Sequence, residues 1–257
     1  MLFPLSHIRP TQMEIGLGYV ASRLSQITKR DANLRKAIQS RILPAAIGPN
    51  GLAYITDGHH WALASQILAR AQGLDSCEVS IEVMGDFIQQ TQLDCIRFLY
   101  ANNEGYFTKS LRSAIAWKDP RNRIPLTDET LLALYRNLPE KLEEMKDNPL
   151  RSLIGYAFDQ LGIFPEDLLT DYVEFYLIEK MEQEFSKSGI PLDRVLGIHE
   201  PENEWITTTK NLFVGRPDLV DYLTSFAKPH LDANAVTKSI WDCVSRYRTQ
   251  TLGLSPT

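Results

Sequence analysis

Leu52-Ala53-Tyr54-Ile55-Thr56-Asp57-Gly58-His59-His60-Trp61 decides the fold: an apolar run breaks at an acid and a glycine, and two adjacent histidines then open a helical pattern. A strand that turns into a helix this way presents the backbone N–H groups of the first helical turn outward, which suits an anion and above all a phosphate. Upstream, Ile42-Leu43-Pro44-Ala45-Ala46-Ile47 is joined to Leu52-Ala53-Tyr54-Ile55 by Gly48-Pro49-Asn50-Gly51, a tight-turn sequence that predicts a β-hairpin. Downstream, Trp61, Ala64, Ile67, Leu68 and Ala71 fall on one helical face that stops near Gly73. Cys77-Glu78-Val79-Ser80-Ile81-Glu82-Val83 then alternates as a strand with one buried face.

Working outward, Leu2 to Ile8 reads as one short strand ended by Arg9-Pro10-Thr11-Gln12, because proline cannot sustain a central ladder. A polar loop follows. Val20, Leu24 and Ile27, then Leu34, Ala37 and Ile38, predict one broken helix or two. After Gln92 the spacing is helical throughout. Thr127-Asp128-Glu129 caps a helix over Leu131 to Leu138, Pro139 suits the first turn of another, and Asp147-Asn148-Pro149 precedes a third with Leu150, Leu153, Ile154 and Ala157. Further helices are expected from about Pro165 to Lys187, Arg216 to Ala227 and Asp232 to Arg248. The expected organisation is α+β, a small domain at 1–108 followed by an all-helical half at 109–257.

A chain of 257 residues with 44% hydrophobic content can bury a sizeable core. Its formal net charge of -5 opposes a protein that coats a nucleic-acid backbone. The best basic and aromatic patch is Lys109, Arg112, Lys118, Arg121 and Arg123 with Tyr106, Phe107 and Trp117. Cys77, Cys95 and Cys243 lack the paired spacing of a zinc or redox site and read as packed or surface thiols in a reducing cytoplasm. Neither a signal peptide nor a membrane-spanning run is expected.

Adjacent histidines do not share a helix face, so His59 and His60 make a poor two-ligand zinc site and a better phosphate contact or proton shuttle. A bound phosphate beside Asp57 calls for an intervening cation, and Mg²⁺ held by Asp57 and phosphate oxygens meets that need. The plain alternative is that Asp57 or a histidine caps the helix. Glu14, in the loop after the first strand, is a candidate general base. Arg9, Thr11 and Gln12 can orient a substrate or satisfy local backbone groups. Arg151 and Ser152 open another helix, where Arg151 can clamp an anion with both guanidinium edges. Glu174, beside Phe175, is a further carboxylate candidate.

Three stretches in register resemble the ParB-like nuclease family, a branch of the ParB/sulfiredoxin fold. They are Ile8-Arg9-Pro10-Thr11-Gln12 with Gly16, then Ile47 to Gly51 through Tyr54 to His60, then Leu138-Pro139 with Lys146 to Leu153. Glu174-Phe175 is similar to the family's later acid-aromatic pair, and the resemblance runs from Leu2 to about Met181. It implies a mixed-sheet ParB/sulfiredoxin-like domain whose relatives bind nucleotides: CTP-hydrolysing partition proteins, ATP-dependent sulfiredoxins and free-serine kinases. Asp57-Gly58-His59-His60 looks like the kinase string, except that those enzymes continue with arginine where this chain has Trp61. They also carry a catalytic glutamate where this chain has Gln12, with Glu14 two residues on. No cysteine lies near His59 for sulfiredoxin chemistry, and no helix-turn-helix pattern supports a centromere-binding role.

The expectation is a cytoplasmic enzyme that binds ATP, ADP or CTP with Mg²⁺ and transfers or hydrolyses a phosphoryl group. Asp57 would hold the metal, while Gly58, His59 and His60 would cradle phosphates with Arg9 and Thr11. Glu14 or Gln12 would orient or deprotonate a small-molecule acceptor, and Arg151 with Ser152 would reach in from the helical half. The rival readings are a nuclease or nucleic-acid-binding protein using the same cleft, and a non-catalytic regulatory module.

Overall fold

The computed structural model describes residues 1–74, 76–102, 126–148 and 151. The chain separates into two compact units, residues 1–15 with 20–147, and residues 16–19 with 148–257. In chain order, β1 (Leu2–Pro4), β2 (Ile8–Pro10) and β3 (Glu14–Ile15) precede α1 (Leu17–Arg30) and α2 (Leu34–Gln39). The pair β4 (Ile42–Ile47) and β5 (Ala53–Ile55) leads into α3 (His59–Ala71). Then come β6 (Glu78–Asp86), α4 (Gln92–Ala101), α5 (Asp128–Arg136) and β7 (Lys146–Asp147).

The expected α+β class with a mixed sheet is found. Five strands form a sheet in the order β1-β6-β4-β5-β2, and β3 pairs with β7 in a separate two-stranded ladder. The predicted hairpin is the antiparallel pair β4 and β5, in the register Ala45 to Ile55, Ala46 to Tyr54 and Ile47 to Ala53. Its turn closes through Gly48 N–H to Leu52 O at 2.9 Å and Gly51 N–H to Gly48 O at 2.9 Å, with Gly51 at φ 70°. Parallel pairing joins β2 to β5 and β4 to β6, while β1 lies antiparallel to β6.

Leu2 to Ile8 is not one strand. A 3₁₀ turn at Leu5–His7 divides it, because β1 and β2 occupy opposite edges of the sheet and the chain must cross between them. Leu5 anchors the crossing by donating its N–H to Cys77 O at 3.0 Å. Both edge strands contain a proline, Pro4 in β1 and Pro10 in β2, positions where a missing ladder donor is tolerated.

Strand alternation sorts the side chains to two faces. Ala45, Ile47, Ala53 and Ile55 join Ile8, Leu43, Val79 and Ile81 in a core with Val20, Ile27, Ala37, Ile38, Trp61, Ala62 and Ala64 from the helices. Ala46 and Tyr54 turn the other way, against Cys95, Ile96, Leu99, Leu131 and Leu138. The first unit therefore includes α5 as well as α4. On α3 the face differs from the expected one: Ile67 is exposed, whereas Trp61 to Ser65 are buried consecutively. Alanines let that first half of the helix approach the sheet closely.

Thr127 caps α5 as predicted, its hydroxyl accepting from Thr130 N–H at 3.3 Å. No helix starts at Pro139. Leu142 and Met145 are drawn into the core, and the segment forms a 3₁₀ turn at Leu142–Glu144 followed by β7. Cys77 and Cys95 are buried free thiols, as expected; burial pushes the Cys95 thiol up to about 12. Cys243, the Lys109 to Arg123 patch, Glu174 and the helices expected after Asn148 lie outside the described residues. Among the described residues no helix is long and apolar enough to cross a membrane.

Candidate functional site

The turn from β5 into α3 is built by the hairpin. Its antiparallel register continues past the strand, so Thr56 donates its N–H to Pro44 O at 2.9 Å and Asp57 arrives beside Arg41. Gly58 is the N-cap of α3, with φ 78° and ψ 21° in the left-handed region, and it supplies no side-chain cap. Glycine is required there for a second reason: a Cβ would stand 2.5 Å from Leu43 Cδ2. The helix's positive end is thus formed by backbone alone, with no capping carboxylate or hydroxyl at Gly58.

Asp57 does not cap α3. Its side chain is 67% exposed and accepts from Arg41 Nη2 at 3.2 Å. The charge conflict that pointed to a metal is met in this structure by a guanidinium. Arg41 was not singled out from the sequence, although extending the hairpin register by a few residues leads to it. Among the described residues no group of three His, Cys, Asp or Glu side chains gathers where it could hold a metal ion.

The two histidines part company. His59 is 4% exposed, and its Nε2 accepts the backbone N–H of Thr11 at 3.1 Å. An accepting Nε2 carries no proton, so the neutral ring holds its proton on Nδ1. The Thr11 hydroxyl, 3.5 Å from the same nitrogen, donates to Ile55 O at 2.8 Å. Thr11 therefore ties the segment after β2 to both the end of β5 and the start of α3. His60 is the more exposed ring.

Of the remaining candidates, Gln12 is buried with its amide nitrogen 3.9 Å from Met145 Sδ. Glu14 is half-buried in β3, in register with Lys146 of β7. Arg9 is half-buried in β2, in register with Tyr54. Arg151 belongs to the second unit, where it is buried and donates its N–H to Asn148 O at 2.9 Å. Ser152 lies outside the described residues.

A tyrosine pair went unnoticed in the sequence. Tyr54 and Tyr135 hydroxyls lie 2.7 Å apart, and Asn50 Nδ2 donates to Tyr54 Oη at 3.4 Å. Burial first, then the Tyr54 contact, push the Tyr135 phenol above its ordinary value, while the charge of Arg9 pulls the other way. Only pairing across 81 residues brings these rings together.

The family model described as "Putative ParB-like nuclease" matches residues 2–178. Among solved structures, the crystal structure of protein Atu1540 from Agrobacterium tumefaciens is similar at 17% identity, covering 82% of this chain and 89% of that chain with a TM-score of 0.52. At that identity the likeness concerns the fold alone. No curated protein matches the sequence.

Proposed function

The chain belongs to the ParB-like nuclease family, and from that membership we propose that it binds nucleotide phosphates at the entrance to α3 and catalyses Mg²⁺-dependent phosphoryl transfer or nucleotide hydrolysis. The observation that carries the reading is the Gly58 turn, a left-handed backbone N-cap without a capping side chain, beside the exposed Arg41–Asp57 pair. Gly58, His59 and His60 contribute backbone donors and the positive helix end, and His60 contributes its ring. Asp57 would take one position on a nucleotide-borne Mg²⁺, an ion that commonly needs only one or two carboxylates beside the phosphates. Thr11 and His59 hold the turn in place. Arg9 would contribute positive charge, Glu14 would orient or deprotonate the acceptor, and Gln12 could only orient it.

The test is a thermal-shift panel of nucleoside di- and triphosphates with and without Mg²⁺. A ligand at a hundredfold excess over its Kd should raise Tm by about 5–10 °C for a chain of this size. No shift with any nucleotide sinks the reading.

The family's description favours a second reading, cleavage of a polynucleotide at the same turn. Polynucleotide affinity would fall steeply with ionic strength, whereas a mononucleotide in one pocket would respond far less. The net charge of -5 favours the mononucleotide.

A further inference from the structure

We propose that the basic face formed by the end of α1 and by α2 seats the phosphate backbone of a nucleic-acid duplex, a docking surface independent of the chemistry at the Gly58 turn. Residues 29–41 hold five bases, Lys29, Arg30, Arg35, Lys36 and Arg41, and one acid, Asp31, in a chain whose net charge is -5. Asp31 is engaged with the local backbone, accepting Asn33 N–H at 2.8 Å. Arg41 is matched by Asp57 at 3.2 Å. The other four bases are exposed, and among the described residues no carboxylate forms an ion pair with any of them.

Neutral groups hold the two arginines of that set. The Arg30 guanidinium carbon stands 5.7 Å from the centroid of the Trp61 ring, and Arg35 Nη1 donates to Ser76 O at 3.2 Å. Arg70 and Arg97, by contrast, meet Glu143 and Asp128. A guanidinium fixed by a ring or a carbonyl keeps its charge uncompensated and has already lost freedom, so it meets an anion preorganised. Trp61 Nε1 donates to Ile38 O at 3.1 Å, which fastens the ring beneath Arg30 to the helix that carries Arg35 and Lys36. That helix is six residues, about 9 Å, long; it turns Ala37 and Ile38 inward and leaves Arg35 and Lys36 outside.

The composition of the face selects its partner. No exposed large hydrophobic falls between Lys29 and Arg41; Ile42 follows on β4. The face therefore lacks the apolar centre of a protein interface and the apolar side chains that a bilayer-surface helix inserts. Residues 28–41 contain no aromatic, and Trp61 is 2% exposed, so no stacking platform for unpaired bases is presented. What remains is charge and small polar groups, the chemistry that meets phosphate oxygens without reading bases.

The experiment titrates a fluorescein-labelled duplex of about 20 base pairs with the full chain by anisotropy, between about 50 and 200 mM salt. Wild type should bind with a Kd of about 1–100 µM at the lowest salt and lose affinity steeply as salt rises. Lys29→Gln/Lys36→Gln should bind about tenfold more weakly there and lower the slope of log K against log salt by about 2, while melting within about 3 °C of wild type. Arg136→Gln/Lys141→Gln removes the same charge from another exposed segment and should leave affinity and slope near wild type. Absence of wild-type binding, equal losses in the two double variants, or tighter binding to polyglutamate, to phosphatidylserine vesicles or to single-stranded oligothymidine than to the duplex would each overturn the proposal. A melting shift with MgATP, read on the same samples, judges the Gly58 turn alone.

Discussion

The backbone N–H of Thr11 is bonded to Nε2 of His59 at 3.1 Å, across 48 residues of sequence. Of two adjacent histidines, the first is consequently part of the frame, while the second is only half-buried. Substituting them should separate those roles. His59→Ala removes a buried ring and strands a buried donor, so stability should fall by about 2–4 kcal/mol in urea denaturation. His60→Ala should change stability by less than about 1 kcal/mol while weakening nucleotide binding. Equal stability losses would refute the division.

Gly58 and Gly51 offer a controlled comparison. Both have positive φ, at 78° and 70°, but a Cβ at Gly58 would collide with Leu43 whereas nothing lies within 4 Å of one at Gly51. Gly51→Ala should cost about 1 kcal/mol from backbone strain alone. Gly58→Ala should cost about 2–4 kcal/mol and abolish any phosphate-induced melting shift, as the clash adds to the strain.

Arg41 faces Asp57 at 3.2 Å in an exposed pair. Exposed pairs contribute little, so Arg41→Ala should leave folding stability within about 1 kcal/mol of wild type. Nucleotide affinity measured without Mg²⁺ should drop about tenfold or more as the uncompensated carboxylate repels the phosphates, with added salt partly masking the loss, and Mg²⁺ at Asp57 should restore much of it. Unchanged affinity at low salt would place the anion elsewhere.

Alkaline titration should expose the buried thiol of Cys95, which burial raises from 9.0 to about 12. The folded state keeps a proton that the unfolded state releases, so this contribution is intact below pH 9 and is lost as pH rises toward 12, by at most about 1.4 kcal/mol per pH unit. Tyr135, also raised, adds to the decline above about pH 10. Cys95→Ala should flatten the slope between pH 9 and 10, and Tyr135→Phe only the steeper part beyond. Identical slopes in all three proteins would contradict the burial.

The sequence made the hairpin and α3 readable because Gly48-Pro49-Asn50-Gly51 and Asp57-Gly58 are local signals whose backbone demands do not depend on distant residues. The split of Leu2 to Ile8 was hidden, since it follows from which edge each half joins, a property of sheet order. β7 was hidden for another reason: two residues carry no period. At the site, the turn and the candidate histidines were legible. The inward set of His59 was not, because neighbouring histidines look alike until a remote backbone donor selects one. Arg41 and the Tyr54–Tyr135 contact were equally remote in sequence from what they touch.

The sheet's outermost strands have a consequence for how molecules meet one another. Each is only three residues long and each includes an imino acid, Pro4 on one side and Pro10 on the other. A neighbouring molecule seeking to extend the ladder along β1 or β2 themselves finds a short, donor-poor strand, so intermolecular β-pairing on those two strands is discouraged by the same prolines.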